Sequence, residues 1–176
     1  MKEIRTIEIC SENPQSLNFP NCTKELIKHN KSISTMESCT GGLVASCITD
    51  IEGASNIIKG AFVTYSNIAK VQQGVPQETI DTYGVYSYET AREMAFACKR
   101  AYQSDIGIGV TGTTGNVDEN NKDSQVGVIY YCIIYNDIIE NHKLEITSDI
   151  VTSRGYAKRV IVSYILNSLY KILVNM

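Results

Sequence analysis

The sequence predicts a single α/β domain with a mixed sheet. Three observations predict it. Short apolar or β-branched runs alternate along the chain with stretches of helical periodicity, which implies strands crossed by helices. Two of the strand-like runs are joined by Asn136-Asp137, a hairpin turn that adds an antiparallel pair. The 176 residues contain no linker and no internal repeat.

Residues 1–16 show no clean periodicity and are expected to be a poorly ordered extension, leaving 17–176 as the domain. A first helix is expected over 22–29, with Leu26 and Ile27 turned inward. A short strand over 32–37 leads through Ser38 into a helix over 40–49, where Leu43, Val44, Cys47 and Ile48 recur at helical spacing. Residues 61–64 read as a strand and 67–73 as a short helix; 81–84 read as a turn. Ser87 is a good N-cap for the next helix, which has Glu89 in its first turn and Lys99 and Arg100 near its end, as the helix dipole favours. Its inner stripe is Ala91, Met94, Ala95, Cys98, Ala101 and Tyr102. Residues 106–110 and 126–135 are near-continuous apolar strands of the buried kind, and 138–146 completes the hairpin. The last helix, over 155–174, places Ala157, Val160, Ile161, Tyr164, Ile165, Leu169 and Ile172 on one face.

Composition excludes several classes. A hydrophobic fraction of 43% with 20% charged residues is that of a globular chain, neither disordered nor coiled coil. The net charge of −3 argues against a general nucleic-acid binder, which needs a basic face, but leaves room for one small phosphorylated ligand. No run approaches the ~18 apolar residues of a membrane span. The N-terminus has no signal-type apolar stretch, so a cytoplasmic location without membrane partners is expected. The six cysteines (Cys10, Cys22, Cys39, Cys47, Cys98 and Cys132) form no C-x₂-C pair, and no metal site is expected.

The chemistry-bearing residues cluster at strand ends. Ser38-Cys39-Thr40-Gly41-Gly42 is a serine before a glycine turn that opens a helix; backbone N–H groups there can face an oxyanion or a phosphate. Ser38 is either a nucleophile at a strand–helix junction or an ordinary N-cap. Lys70 is a base only where burial or a neighbouring cation lowers its pKa, and otherwise a solvated surface lysine. Tyr65 is a catalytic phenol or a packed aromatic, and Glu37 a group supporting the site or a carboxylate at a helix N-terminus. His29 and His142 are read as surface residues, so a reactive serine must find another base. Arg154, Lys158 and Arg159 start the last helix, unfavourably for its dipole, as an anion-binding group or a solvated patch. The polar loop 111–125 follows a buried strand, and loops of that length are commonly functional. Strand ends at Glu37/Ser38, Tyr65 and Thr111 are expected to meet at one sheet edge.

Taken together, several segments resemble one family. Glu37-Ser38-Cys39-Thr40-Gly41-Gly42, Thr49-Asp50-Ile51 with Gly53-Ala54-Ser55, and Gly60-Ala61-Phe62-Val63-Thr64-Tyr65-Ser66-Asn67 with Ala69-Lys70 are similar to the CinA C-terminal domain, which includes stand-alone nicotinamide-nucleotide amidohydrolases. Gly84-Val85-Tyr86-Ser87, Glu89-Thr90-Ala91-Arg92-Glu93-Met94-Ala95, Gly109-Val110-Thr111-Gly112 and Val126-Gly127-Val128 extend the likeness over about 20–174. The resemblance implies a three-layer α/β/α sandwich with a mixed, mostly parallel sheet. It also implies deamidation of nicotinamide mononucleotide to nicotinate mononucleotide and ammonia. Ser38, Tyr65 and Lys70 take the catalytic positions, and no metal or other cofactor is implied. Cys39, Thr40, Gly41, Gly42, Thr111, Gly112 and Arg154 are the expected substrate contacts, the last through the phosphate. Two departures stand out. Where the family reads Gly-x-Ala-Gly-Pro-x-Gly-Gly, this chain has Gly112-Thr113-Thr114-Gly115-Asn116-Val117-Asp118-Glu119, and Ser153-Arg154 replaces Asp-Arg. The alternative function is a non-catalytic nucleotide-binding module of the same fold; a homo-oligomer is expected in either case.

Overall fold

The structure is a computed structural model that describes residues 1–10, 19–147 and 153–176. In chain order the elements are β1 (Lys2–Cys10), α1 (Cys22–Lys28), β2 (Ile33–Glu37), α2 (Leu43–Thr49), β3 (Ile58–Val63), α3 (Asn67–Gln72), α4 (Gln77–Tyr83), α5 (Tyr88–Tyr102), β4 (Ile106–Gly112), β5 (Val128–Tyr135), β6 (Ile138–Ile146) and α6 (Arg154–Val174). The strands form one six-stranded sheet in the order β1-β6-β5-β4-β2-β3. The β4–β5 and β5–β6 pairs are antiparallel and the other three are parallel, so the sheet is mixed and mostly parallel.

Helices cover both faces. On one, α1, α2 and α6 close over a core that includes Leu26, Val44, Ile48, Ile133, Val160 and Leu169. On the other, α5 packs against β2, β4 and β5 through Met36, Met94 and Cys98 in one cluster and Ala91 and Ala95 in another. Each buried Leu, Ile or Met side chain contributes roughly 1.5–3 kcal/mol. Two covered faces explain why β2 and β4 are buried at every residue and carry no alternation. Gly109 lets α5 lie close: a Cβ there would collide with the Ala91 carbonyl and the Ala95 amide.

The structure departs from the sequence reading in several places: Ile27, expected to turn inward from α1, is 40% exposed, and Ala101, expected on the inner stripe of α5, is exposed at its C-terminal end. Lys2–Cys10 is an ordered edge strand, not an extension, paired in parallel with β6 along its whole length. Its signal is hidden because each face mixes charge with isoleucine: Glu3, Arg5, Ile7 and Ile9 on one side, Ile4, Thr6, Glu8 and Cys10 on the other. The backbone ladder and a 2.6 Å hydrogen bond from Tyr131 Oη to Glu8 hold it instead. Residues 11–16 of the expected extension lie outside the described residues. The turn expected over 81–84 is the end of α4, closed by Gly84. His142, expected at the surface, is buried, stacked on Tyr131 between Glu8 and Glu140, each 3.6 Å away.

The register fixes where the site forms. Glu37, the last residue of β2, sits opposite Val63 of β3 and Val110 of β4, so three parallel strands end at one edge. The chain leaves β2 through the turn 38–42, in which Gly41 and Gly42 have φ of 64° and 91°, unfavourable for a residue with a Cβ. Glu37 holds that turn from beneath. Its fully buried carboxylate accepts from Thr40 Oγ1 at 2.7 Å, Thr35 Oγ1 at 3.1 Å, Val44 N at 3.0 Å and Ala45 N at 2.9 Å. The two amides are orphan donors of the first turn of α2, which Gly42 at the N-cap has no side chain to satisfy. Substitution Glu37→Ala strands both amides and is expected to destabilise the protein by about 2–4 kcal/mol in urea unfolding. A loss below about 0.5 kcal/mol would refute this role.

Candidate active site

Two of the three expected catalytic groups meet directly. Ser38 follows β2 and is 7% exposed; Lys70, in α3, is 2% exposed, and its Nζ stands 3.2 Å from Ser38 Oγ. The same Nζ donates to the Thr64 carbonyl at 2.9 Å, which aims the amine at the serine. Ser66 starts α3 by accepting from the Ala69 amide at 3.1 Å, and this cap turns the helix so that Lys70 points inward. Ser38 is therefore no N-cap, since α2 begins after Gly42, and Lys70 is no solvated surface lysine.

Burial sets the protonation of the cluster. Desolvation pulls the Lys70 amine down to about 8, against weaker opposing effects of Cys39 and Asp118. The same desolvation, with Glu37 adding to it, pushes the buried Cys39 thiol up to about 12. A thiol held protonated is a poor nucleophile, so of the two groups the hydroxyl beside a partly neutral amine is the better suited to nucleophilic chemistry.

Ser38 and Lys70 open into a cavity of about 500 Å³, within the size range of small-ligand pockets. Cys39, Tyr65, Gly112 and Arg154 line it as expected. Tyr65 is 56% exposed, and its hydroxyl accepts from Arg154 Nη2 at 2.8 Å, with no hydrogen bond to Ser38 or Lys70 among the described residues. Four expected contacts do not line the cavity. Thr40 is spent on Glu37, Gly41 lies under Lys158 and Gly42 against Val63, and Thr111 turns away to donate to the Val85 carbonyl at 3.0 Å. The first turn of α2 cannot take a phosphate, because Glu37 already occupies its amides. Lys158 and Arg159 point elsewhere, Arg159 into a separate groove between α1, α2 and α6.

The sequence reading named the loop after β4 but not its working residues. Asp118 ties that loop down by accepting from Tyr86 Oη at 2.8 Å, from the Asn120 amide at 3.0 Å and from Asn121 Nδ2. Asn121 in turn accepts from Asn67 Nδ2 at 2.9 Å, which joins the loop to α3. All of these side chains line the cavity. So does Thr114, a buried hydroxyl without a partner among the described residues. Their only sequence signal is the polarity and length of the loop. A larger cavity, about 690 Å³, lies at the opposite end of the sheet near the β5–β6 hairpin, but it contains no nucleophile–base pair. Among the described residues no group of His, Cys, Asp or Glu is placed to hold a metal ion, and no helix is long and apolar enough to cross a membrane.

The chain is similar to known proteins. A CinA-like protein of Petrotoga mobilis is 41% identical over 64% of this chain, which spans 28% of that relative. Protein MG115 of Mycoplasma genitalium is 41% identical over 66% of this chain and 74% of its own length. The chain thus spans under a third of the longer relative and about three quarters of the shorter. Among solved structures, the competence/damage inducible protein CihA from Agrobacterium tumefaciens is 28% identical with a TM-score of 0.73, over 88% of this chain and 98% of its own. A competence-damaged protein (CinA) superfamily protein of Klebsiella pneumoniae shares the fold, with a TM-score of 0.80 at 22% identity over 89% of this chain and 95% of its own. A family model described as the CinA C-terminal domain matches residues 19–173, and the chain belongs to that family.

Proposed function

We propose that this chain is a serine amidohydrolase that deamidates nicotinamide mononucleotide. The observation that carries the reading is the buried Lys70 Nζ at 3.2 Å from Ser38 Oγ, with its pKa drawn down towards neutrality. Neutral Lys70 accepts the Ser38 proton as Oγ attacks the carboxamide carbon. As the C–N bond breaks, the Lys70 ammonium passes that proton to the departing nitrogen, which leaves as ammonia. Water then attacks the acyl-serine, giving a proton to Lys70; the ester bond breaks, Ser38 regains a proton and the nicotinate carboxylate is released. The Cys39 amide, next to the nucleophile, is the natural donor to the tetrahedral oxyanion.

The nucleotide assignment is supported by family membership together with a polar cavity of mononucleotide size that Arg154 lines along with Lys70. Arg154, held by Tyr65, takes the phosphate. With Tyr65 engaged there, proton transfer falls to Lys70, and Tyr65 acts by positioning Arg154.

Ammonia release from nicotinamide mononucleotide by the purified protein is expected, and Ser38→Ala should lower it on the order of 10³-fold or more. Binding of the mononucleotide without ammonia release would replace this reading with the non-catalytic module. Because the base works unprotonated, kcat/KM should rise with pH through about 8 and then level. A profile flat from pH 6 to 9 would remove Lys70 as the base. Arg154→Ala should raise KM for the mononucleotide by about 10- to 100-fold, with little effect on the riboside, which has no phosphate. Equal losses on both substrates would place the phosphate elsewhere.

A further inference from the structure

We propose that two copies of this chain pair along β1, antiparallel about a two-fold axis at Ile7, joining their sheets edge to edge. β1 is the outer strand of the sheet, and among the described residues nothing pairs with its free side. Its residues precede the family match over 19–173.

The strand carries the charges of Lys2, Glu3, Arg5 and Glu8 but lacks the other usual protections of an edge. It runs for nine residues in unbroken register, without proline or bulge. Ile7 is 65% exposed and Ile9 63%, side by side on the face towards α5. That helix packs on the other strands, and β1 reaches it through Arg5, 3.2 Å from Glu89 and over the Tyr88 ring, and Glu3, 3.9 Å from Arg92, which leaves Ile7 and Ile9 uncovered. The backbone is oriented for pairing. The Lys2 amide donates to the Asp137 carbonyl and the Cys10 carbonyl accepts from the Thr147 amide, so even-numbered residues direct their groups at β6. The N–H and C=O of Glu3, Arg5, Ile7 and Ile9 therefore point outward.

Side-chain chemistry selects the second copy and its register. With the axis at Ile7, Ile7 faces its own copy and Arg5 faces Ile9, all outward-directed residues that can exchange backbone hydrogen bonds. On the other face Ile4 meets Cys10 and Thr6 meets Glu8, so no like charges are opposed. Moving the axis to Arg5 or Glu8 sets that charge against itself, moving it to Thr6 sets both isoleucines against charged residues, and moving it to Ile4 leaves Ile9 without a partner. Such an interface is smaller than the roughly 1,600 Å² of a standard stable complex, so the dimer is reversible, in the micromolar range.

Sedimentation equilibrium of the full chain over roughly 1–200 µM tests this. The mass should climb from one chain towards two. Ile7→Pro deletes an outward N–H without touching the β6 ladder, and I7K/I9K puts like charges on the axis. Each should shift the midpoint at least about tenfold upward, with unfolding temperature and ammonia release retained. Oxidised Ile7→Cys should give a dimer linked through that residue, since opposed Cα atoms of about 5.5 Å suit a disulfide. A wild-type chain that keeps single-chain mass up to 200 µM overturns the proposal. So does a dimer unaffected by I7K/I9K, which would place the interface elsewhere.

Discussion

The site depends on the buried carboxylate of Glu37. A glycine N-cap leaves the first turn of α2 without a side-chain acceptor, and a carboxylate without donors has no place in a core. Each need is met by the other, through Val44 N and Ala45 N, with two threonine hydroxyls completing the shell. The result is a turn of set shape at the end of β2, and Ser38 is its first residue. The cost is that α2 gives up its N-terminus as an anion site, and Arg154 stands on the other wall of the cavity.

Burial then chooses the reacting groups. A low-dielectric environment favours the neutral form of every ionisable group, and this acts in opposite directions on acids and bases. For Lys70 it produces an amine able to accept a proton near pH 8; for Cys39, one residue from the nucleophile, it keeps the thiol protonated. One physical effect thus keeps the adjacent sulfur protonated and leaves a partly neutral amine beside the serine hydroxyl, without a histidine. The Thr64 carbonyl makes the arrangement directional, since its hydrogen bond fixes Nζ on the serine side.

The loop after β4 shows a different solution to positioning. It lacks the proline and paired glycines expected from its relatives, yet Asp118 collects hydrogen bonds from Tyr86, Asn120 and Asn121, and Ser124 Oγ accepts from the Asp118 amide at 2.8 Å. A polar stretch held by hydrogen bonds among its own backbone and side-chain groups can line a cavity without backbone-restricting residues. The cavity wall is consequently richer in amide and hydroxyl groups than the glycine pattern alone implies.

By itself, the sequence determined the α/β class with its mixed sheet, the β2–turn–α2 junction, the Ser87 cap of α5 and the position of the long polar loop. These follow from local periodicity, capping chemistry and turn residues, which depend on near neighbours in the chain. Ser38 and Lys70 were legible as candidates through their motif, but their contact was not. Thirty-two residues separate them, and only the parallel pairing of β2 and β3 brings the chain after each strand to one edge. Tertiary structure likewise decided that Tyr65 serves Arg154, that Thr40 and Thr111 turn away from the cavity, and that the N-terminal residues form a strand. β1 has no apolar face to announce it; its stability comes from a ladder with β6 and from Glu8 meeting Tyr131, partners more than a hundred residues distant whose approach no local pattern encodes.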